Sequence, residues 1–182
     1  MDFHLIFNNF LIILQGLDET LILIFLSLIL GFFISIPFAL ARVSSIKVLS
    51  QSVYYYIFII RGTPLLVQIY LIYFGLGSIK AVRESFLWIL LKEPFWCGVI
   101  ALVINTVAYT TEIFRGGIQS VTKGQIESCK SLGMNKFTMY FKIILPCAFR
   151  QALPAYGNEI ILMVKATSLV SLTTYMEMTG IA

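Results

Sequence analysis

The chain has 182 residues, 59% of them apolar and 12% charged, with a net charge of +4 and a mean hydropathy of +0.91. So few polar side chains cannot cover a soluble globule of this size, and the composition points to an all-α integral membrane protein forming one transmembrane domain over residues 1–182. The one histidine, His4, and cysteines at 97, 129 and 147 offer no zinc site, no serine–histidine hydrolase and no disulfide framework.

A secretory signal would open on basic residues, whereas "MDFHLIFNNF" opens on an acid and asparagines, so the first apolar run is expected to be retained. A spanning helix takes about 20 mainly apolar residues. Four spans are expected, at about 18–41, 63–79, 94–114 and 147–172. In the first, Ser27, Gly31 and Ser35 recur every fourth residue and place small side chains on one face, suited to close helix packing. The second apolar run is long enough to need a break. At "IIRGTPLL", Pro64 removes a donor and disfavours helix at Thr63. An interfacial helix over roughly 46–60 then precedes the span and leaves Arg61 at the membrane edge. In the apolar core that arginine would cost about 2.5–3.5 kcal/mol.

The third span carries Asn105, Tyr109 and Glu112 on one stripe, with Arg115 spaced to pair with Glu112. A basic stretch follows, with Arg115, Lys123, Lys130, Lys136, Lys142 and Arg150; Arg42 and Lys47 follow the first span, and only Lys80, Arg83 and Lys92 lie on the other side. These charges are spread along loops and read as topology signals, not as a nucleic-acid surface. They place the 42–47 and 115–150 loops in the cytoplasm and the N-terminus outside.

Within that loop Thr122 and Gln125 have the spacing of a capping box, so a helix should start at Lys123 and close at Gly133, too short to span. Ile126, Cys129 and Leu132 recur at threes as an apolar stripe, and Glu127 and Lys130 are spaced to pair. Such a helix suits either a groove on a soluble partner or the lipid headgroups. In the fourth span Gln151, Asn158 and Lys165 fall on one face at seven-residue intervals, with Glu159 turned away by about 100°. An ionisable group near the bilayer centre is a functional candidate by default, against an interhelical structural contact.

The run Glu127, Ser128, Cys129, three residues, Gly133, nine residues, Ile143, one residue, Leu145, Pro146 resembles the "EAA" loop of bacterial ABC importer permeases, with Ser128 and Cys129 where two alanines are usual. The likeness extends through "RGTPLLVQIYLIYFG" at 61–75, "AYTTEIFRGGIQSV" at 108–121 and "RQALPAYGNEIILMVKATSL" at 150–169, which are similar to the arginine and histidine importers of the polar-amino-acid branch. The resemblance implies a type I importer permease core in a bacterial inner membrane, with a coupling loop over 122–146 whose short helix docks into a cytoplasmic ATPase through those seven named residues. It further implies a second, identical or homologous permease subunit and an extracytoplasmic amino-acid-binding protein. Asn105, Asn158 and Glu159 become candidate substrate residues, the Asn-Glu pair pointing to a cationic amino acid such as arginine. Members of this family continue through one more span, which is expected to be missing here. No Walker motif is present, so ATP belongs to the partner ATPase, and no cofactor or metal is expected on this chain. An ion-coupled secondary transporter and a non-transporting scaffold are the alternatives.

Overall fold

A computed structural model describes residues 13–173, 175–176 and 178–181; His4 and the opening segment lie outside the described residues. The described chain is helical, and no strand occurs in it. The principal helices are α1 (Leu17–Arg42), α2 (Lys47–Gly62), α3 (Leu65–Ser78), α4 (Pro94–Gln119), α5 (Lys123–Ser131) and α6 (Leu145–Ala166), with short turns at Lys80–Arg83 and Trp88–Leu91 between α3 and α4. A 3-10 segment, Thr167–Thr173, follows α6.

Helices α1 and α4, of 26 residues each, are long and apolar enough to cross a bilayer by themselves, and α2 with α3 qualifies as a pair bent by 103°. Helix α6 has the length, 22 residues. Arg150, Gln151, Asn158 and Glu159 dilute its apolar content, and it is not among the helices that qualify by composition.

The bend falls where the sequence breaks the helix. Thr63 and Pro64 take extended backbone (ψ 141° and 137°), and α3 restarts immediately after the proline. Gln68, buried one turn into α3, donates its amide to the Ile60 carbonyl (2.7 Å) and the Thr63 carbonyl (3.1 Å). One side chain thus bridges the two sides of the break, adding to the bonds that Thr63 itself gives the Ile60 carbonyl. A π turn at Leu71–Gly75 interrupts α3.

Helix α4 is the spine, packed mainly on α1 and α6. Ser27, Gly31 and Ser35 are all buried in the α1 interface, and a Cβ on Gly31 would come within 2.6 Å of the Thr106 methyl. The small-residue stripe therefore does what its spacing predicts. Toward the other end of α4, a Cβ on Gly117 would meet the Ala148 carbonyl of α6. Helix α4 thus continues to Gln119, beyond the expected limit at 114, with Gly117 packed against α6 while Gly116 is exposed. Tyr56 of α2 ties to the same spine by donating to the Ile104 carbonyl (2.6 Å).

Candidate functional site

Two regions carry the chemistry. The first is the polar segment after α4. Thr122 caps α5 by accepting from the Gln125 amide (3.3 Å), and the Gln125 side chain accepts from the Thr122 amide (3.0 Å). At the far end Gly133 has φ +71°, Met134 donates to the Cys129 carbonyl (3.1 Å) and Gly133 to that of Lys130 (2.9 Å). This pair of bonds is the Schellman closure that glycine permits. The chain then re-enters helix through a second cap that sequence reasoning missed: Asn135 accepts from the Thr138 amide (2.8 Å), starting the Lys136–Met139 turn and a π turn at Tyr140–Ile144 that runs into α6. The signal was present, since asparagine is among the preferred N-cap residues.

This segment has its own small core. Val121, Cys129, Met139 and Ile144 are buried together, with Ile126, Met134 and Ile143 against them. Two expectations are corrected. Cys129 is 6% exposed and points into this core, so a small residue is needed there for packing, while Leu132, the third member of the stripe at threes, is 77% exposed because it sits at the C-cap where the chain leaves the helix. Glu127 and Lys130, though spaced to pair, form no ion pair among the described residues; Glu127, Ser128 and Gly133 present an exposed polar face. Of the rest, Ile143 joins the small core, Leu145 is half-buried at the start of α6 and Pro146 is exposed.

The second region is a cavity of about 420 Å³ behind the helix break, lined by Arg61, Thr63, Asn105, Tyr109, Glu159 and Met163 among others. Three parts of the fold meet there. The break supplies Arg61 and Thr63, α4 supplies Asn105 and Tyr109, and α6 supplies Glu159. Asn105 donates to the Gln68 side-chain oxygen (3.1 Å), so the same glutamine that stitches the break also orients Asn105. The Arg61 guanidinium lies 4.9 Å from the centre of the Tyr109 ring. Glu159 is 6% exposed, yet it makes no hydrogen bond or ion pair among the described residues. The positive charge that acts on this carboxylate from within the chain is the Arg61 guanidinium on the same cavity wall, and a cation arriving in the cavity would add to it.

Of the three residues singled out in the sequence for substrate, the structure brings Asn105 and Glu159 together in this cavity. Asn158 does not line it; it is exposed on the outer face of α6 with Gln151 and Lys165. The two faces of α6 divide as the spacing predicts, and the cavity lies on the Glu159 side. Arg61 and Gln68 were not singled out. A lone glutamine inside an apolar run, four residues after the Pro64 break, was the available clue. Glu112 pairs with Arg115 (2.6 Å) as its spacing predicts, and also lies 3.7 Å from Arg42 of α1, a contact that only the tertiary fold creates.

The family described as "Binding-protein-dependent transport system inner membrane component" matches residues 27–181. The nopaline transport system permease protein NocM of Agrobacterium fabrum is 49% identical over 100% of this chain and 76% of its own length. The histidine/lysine/arginine/ornithine transport system permease protein HisM of Escherichia coli is 42% identical over 92% of this chain and 71% of its own. The arginine ABC transporter permease protein ArtM of Haemophilus influenzae is 39% identical over 94% and 75%. A solved structure described as an amino acid ABC transporter with histidines superposes with a TM-score of 0.85 at 39% identity, over 99% of this chain and 80% of that one.

Proposed function

Since the chain belongs to the binding-protein-dependent transport system inner membrane components, as a permease subunit of an amino-acid ABC importer and not itself an enzyme, we propose that its cavity passes a cationic amino acid such as arginine and that α5 couples it to the ATPase. Membership in this family displaces the secondary-transporter and scaffold alternatives. The reading gives the chain a cytoplasmic ATPase, a second permease subunit and an extracytoplasmic binding protein as partners. It also sets the N-terminus outside and α5 in the cytoplasm, following the Lys/Arg excess of the 42–47 and 115–150 loops.

The observation that carries the substrate reading is Glu159: a buried carboxylate, without hydrogen bond or contact ion pair among the described residues, on the wall of a cavity whose size falls within the ~300–1,000 Å³ of small-molecule sites. A guanidinium or ammonium side chain is its natural counter-charge. Relatives named for arginine and for histidine, lysine, arginine and ornithine point the same way, since each of those side chains is basic. Arg61, across the cavity, supplies the opposite charge for a substrate carboxylate.

For coupling, the support is mechanical. The helix α5 is closed at both ends by caps, exposes Glu127 and Ser128, and stands on its own core. The substrate reading is tested by Glu159→Gln in a background that transports without the binding protein. Deleting one charge-assisted bond of about 1.5–3 kcal/mol should weaken arginine roughly tenfold to a hundredfold while the complex still assembles. Unchanged arginine handling returns Glu159 to a structural role.

A further inference from the structure

Gln68 joins the break between α2 and α3 to the cavity wall on α4, and its hydrogen bonds leave its amide one orientation. Nε2 lies 2.7 Å from the Ile60 carbonyl, 3.1 Å from the Thr63 carbonyl and 2.9 Å from the Thr63 hydroxyl. Carbonyl oxygens only accept, so the nitrogen is the end that faces the break; turning the amide over would set oxygen against oxygen. Gln68 Oε1 therefore points the other way, to the Asn105 amide 3.1 Å off. An oxygen there needs a donor, and the donor that Asn105 owns is Nδ2. The second amide is thus fixed by the first, across 37 positions of sequence.

Asn105 Oδ1 is left over. It accepts no hydrogen bond among the described residues, and it is not closed off in the interior. The cavity is the space that Asn105 lines. Glu159 brings carboxylate oxygens to the same space, also without a hydrogen bond and also open. At these two residues, one on α4 and one on α6, the wall accepts and does not donate. Guanidinium and ammonium groups donate and never accept, so they meet such a wall without conflict, whereas a ligand oxygen in the same place would face oxygens.

We infer that Gln68 is a positioning residue for specificity: by holding the Asn105 amide with its oxygen toward the cavity, it makes Asn105 an acceptor for the donor groups of the substrate side chain. This role rests on the cationic substrate proposed above, and it adds to the charge of Glu159 a hydrogen-bond polarity that charge alone does not supply. The carbonyls that orient Gln68 belong to the break, so the bend between α2 and α3 is itself part of the substrate site.

The test compares L-arginine with L-citrulline, which keeps arginine's shape but is neutral and carries a ureido oxygen in place of one guanidinium nitrogen. Binding of each is measured on the purified permease–ATPase complex in lipid nanodiscs, without binding protein, with assembly checked by elution. Gln68→Leu lets Asn105 turn either end to the cavity. It should weaken arginine about tenfold, the lower range for a hydrogen bond to a charged group, and leave citrulline, which suits either end, little changed. In an Asn105→Ala background, Gln68→Leu should leave the arginine-to-citrulline ratio where Asn105→Ala has put it, because the two residues act as one unit. Equal weakening of both ligands by Gln68→Leu, or a further fall of the ratio in the double variant, assigns Gln68 to holding the break alone and overturns the inference. Should Gln68→Leu fail to assemble, Asn105→Ala decides by itself: a ratio lowered about tenfold supports the oxygen as the reading atom, and an unchanged ratio overturns it. Glu159→Gln is measured alongside. Unchanged arginine binding there removes the cation reading, whereas the response to Gln68→Leu judges the amide lock, so the two failures are told apart.

Discussion

Adjacent glycines in α4 provide a controlled measure of how tightly α4 and α6 are fitted. A Cβ on Gly117 would lie nearer than 3.0 Å to the Ala148 carbonyl oxygen and 3.2 Å from the Ala152 Cβ, whereas a Cβ on Gly116 meets nothing within 4 Å. A relaxed carbon–oxygen contact needs about 3.3–3.6 Å. Gly117→Ala must therefore push the two helices apart by roughly half an ångström or more, at a backbone atom that cannot rotate away. Overpacking of this kind costs about 1–3 kcal/mol. Both substitutions gain the same helix-propensity term of about 0.5–1 kcal/mol, which cancels when the variants are compared. The expected result is that Gly117→Ala unfolds more easily than Gly116→Ala by about 1–3 kcal/mol, read from ellipticity during a detergent-to-SDS titration. Gly117 lies only six residues before Lys123, so the same variant should also depress substrate-stimulated ATP hydrolysis. Equal stability of the two variants would refute the close-packing account.

Two further outcomes follow from burial. In detergent a maleimide should label Cys147, which is exposed, and spare Cys129 and Cys97, which are buried, until the protein is unfolded; early reaction at Cys129 would mean that α5 does not rest on its small core. Gln68→Leu removes the donor to the Ile60 and Thr63 carbonyls and the acceptor of Asn105, and should cost about 1–3 kcal/mol in the same titration. A neutral effect there would show that the 103° bend holds without its side-chain tie.

What could be read from the sequence was what local chemistry decides. The cap of α5, its glycine closure and the break before Leu65 each depend on a few neighbouring residues, and all three fall where the spacing put them. The Ser27, Gly31, Ser35 stripe was legible because small residues on one helical face have few uses other than close packing. The failures belong to the third dimension. Cys129 and Leu132 share a periodicity but not a fate, because the helix ends between them. Nothing in the spacing of α6 says which of its faces meets Arg61, so Asn158 and Glu159 could not be separated in advance. The Arg42–Glu112 contact joins residues 70 positions apart, beyond any helical periodicity.

The small core beneath α5 bears on how work passes through the molecule. A segment without a core would take up a displacement by changing its own shape, dissipating it as conformational entropy. Here α5 is clamped by caps at both ends and backed by Val121, Met139 and Ile144, which belong to the stretches leading out of α4 and into α6. Its compliance is low. Under the coupling role proposed above, a push on the exposed face would be handed to the ends of two helices at once, one carrying Tyr109 and the other Glu159, so the two walls of the cavity would move as a linked pair instead of one after the other.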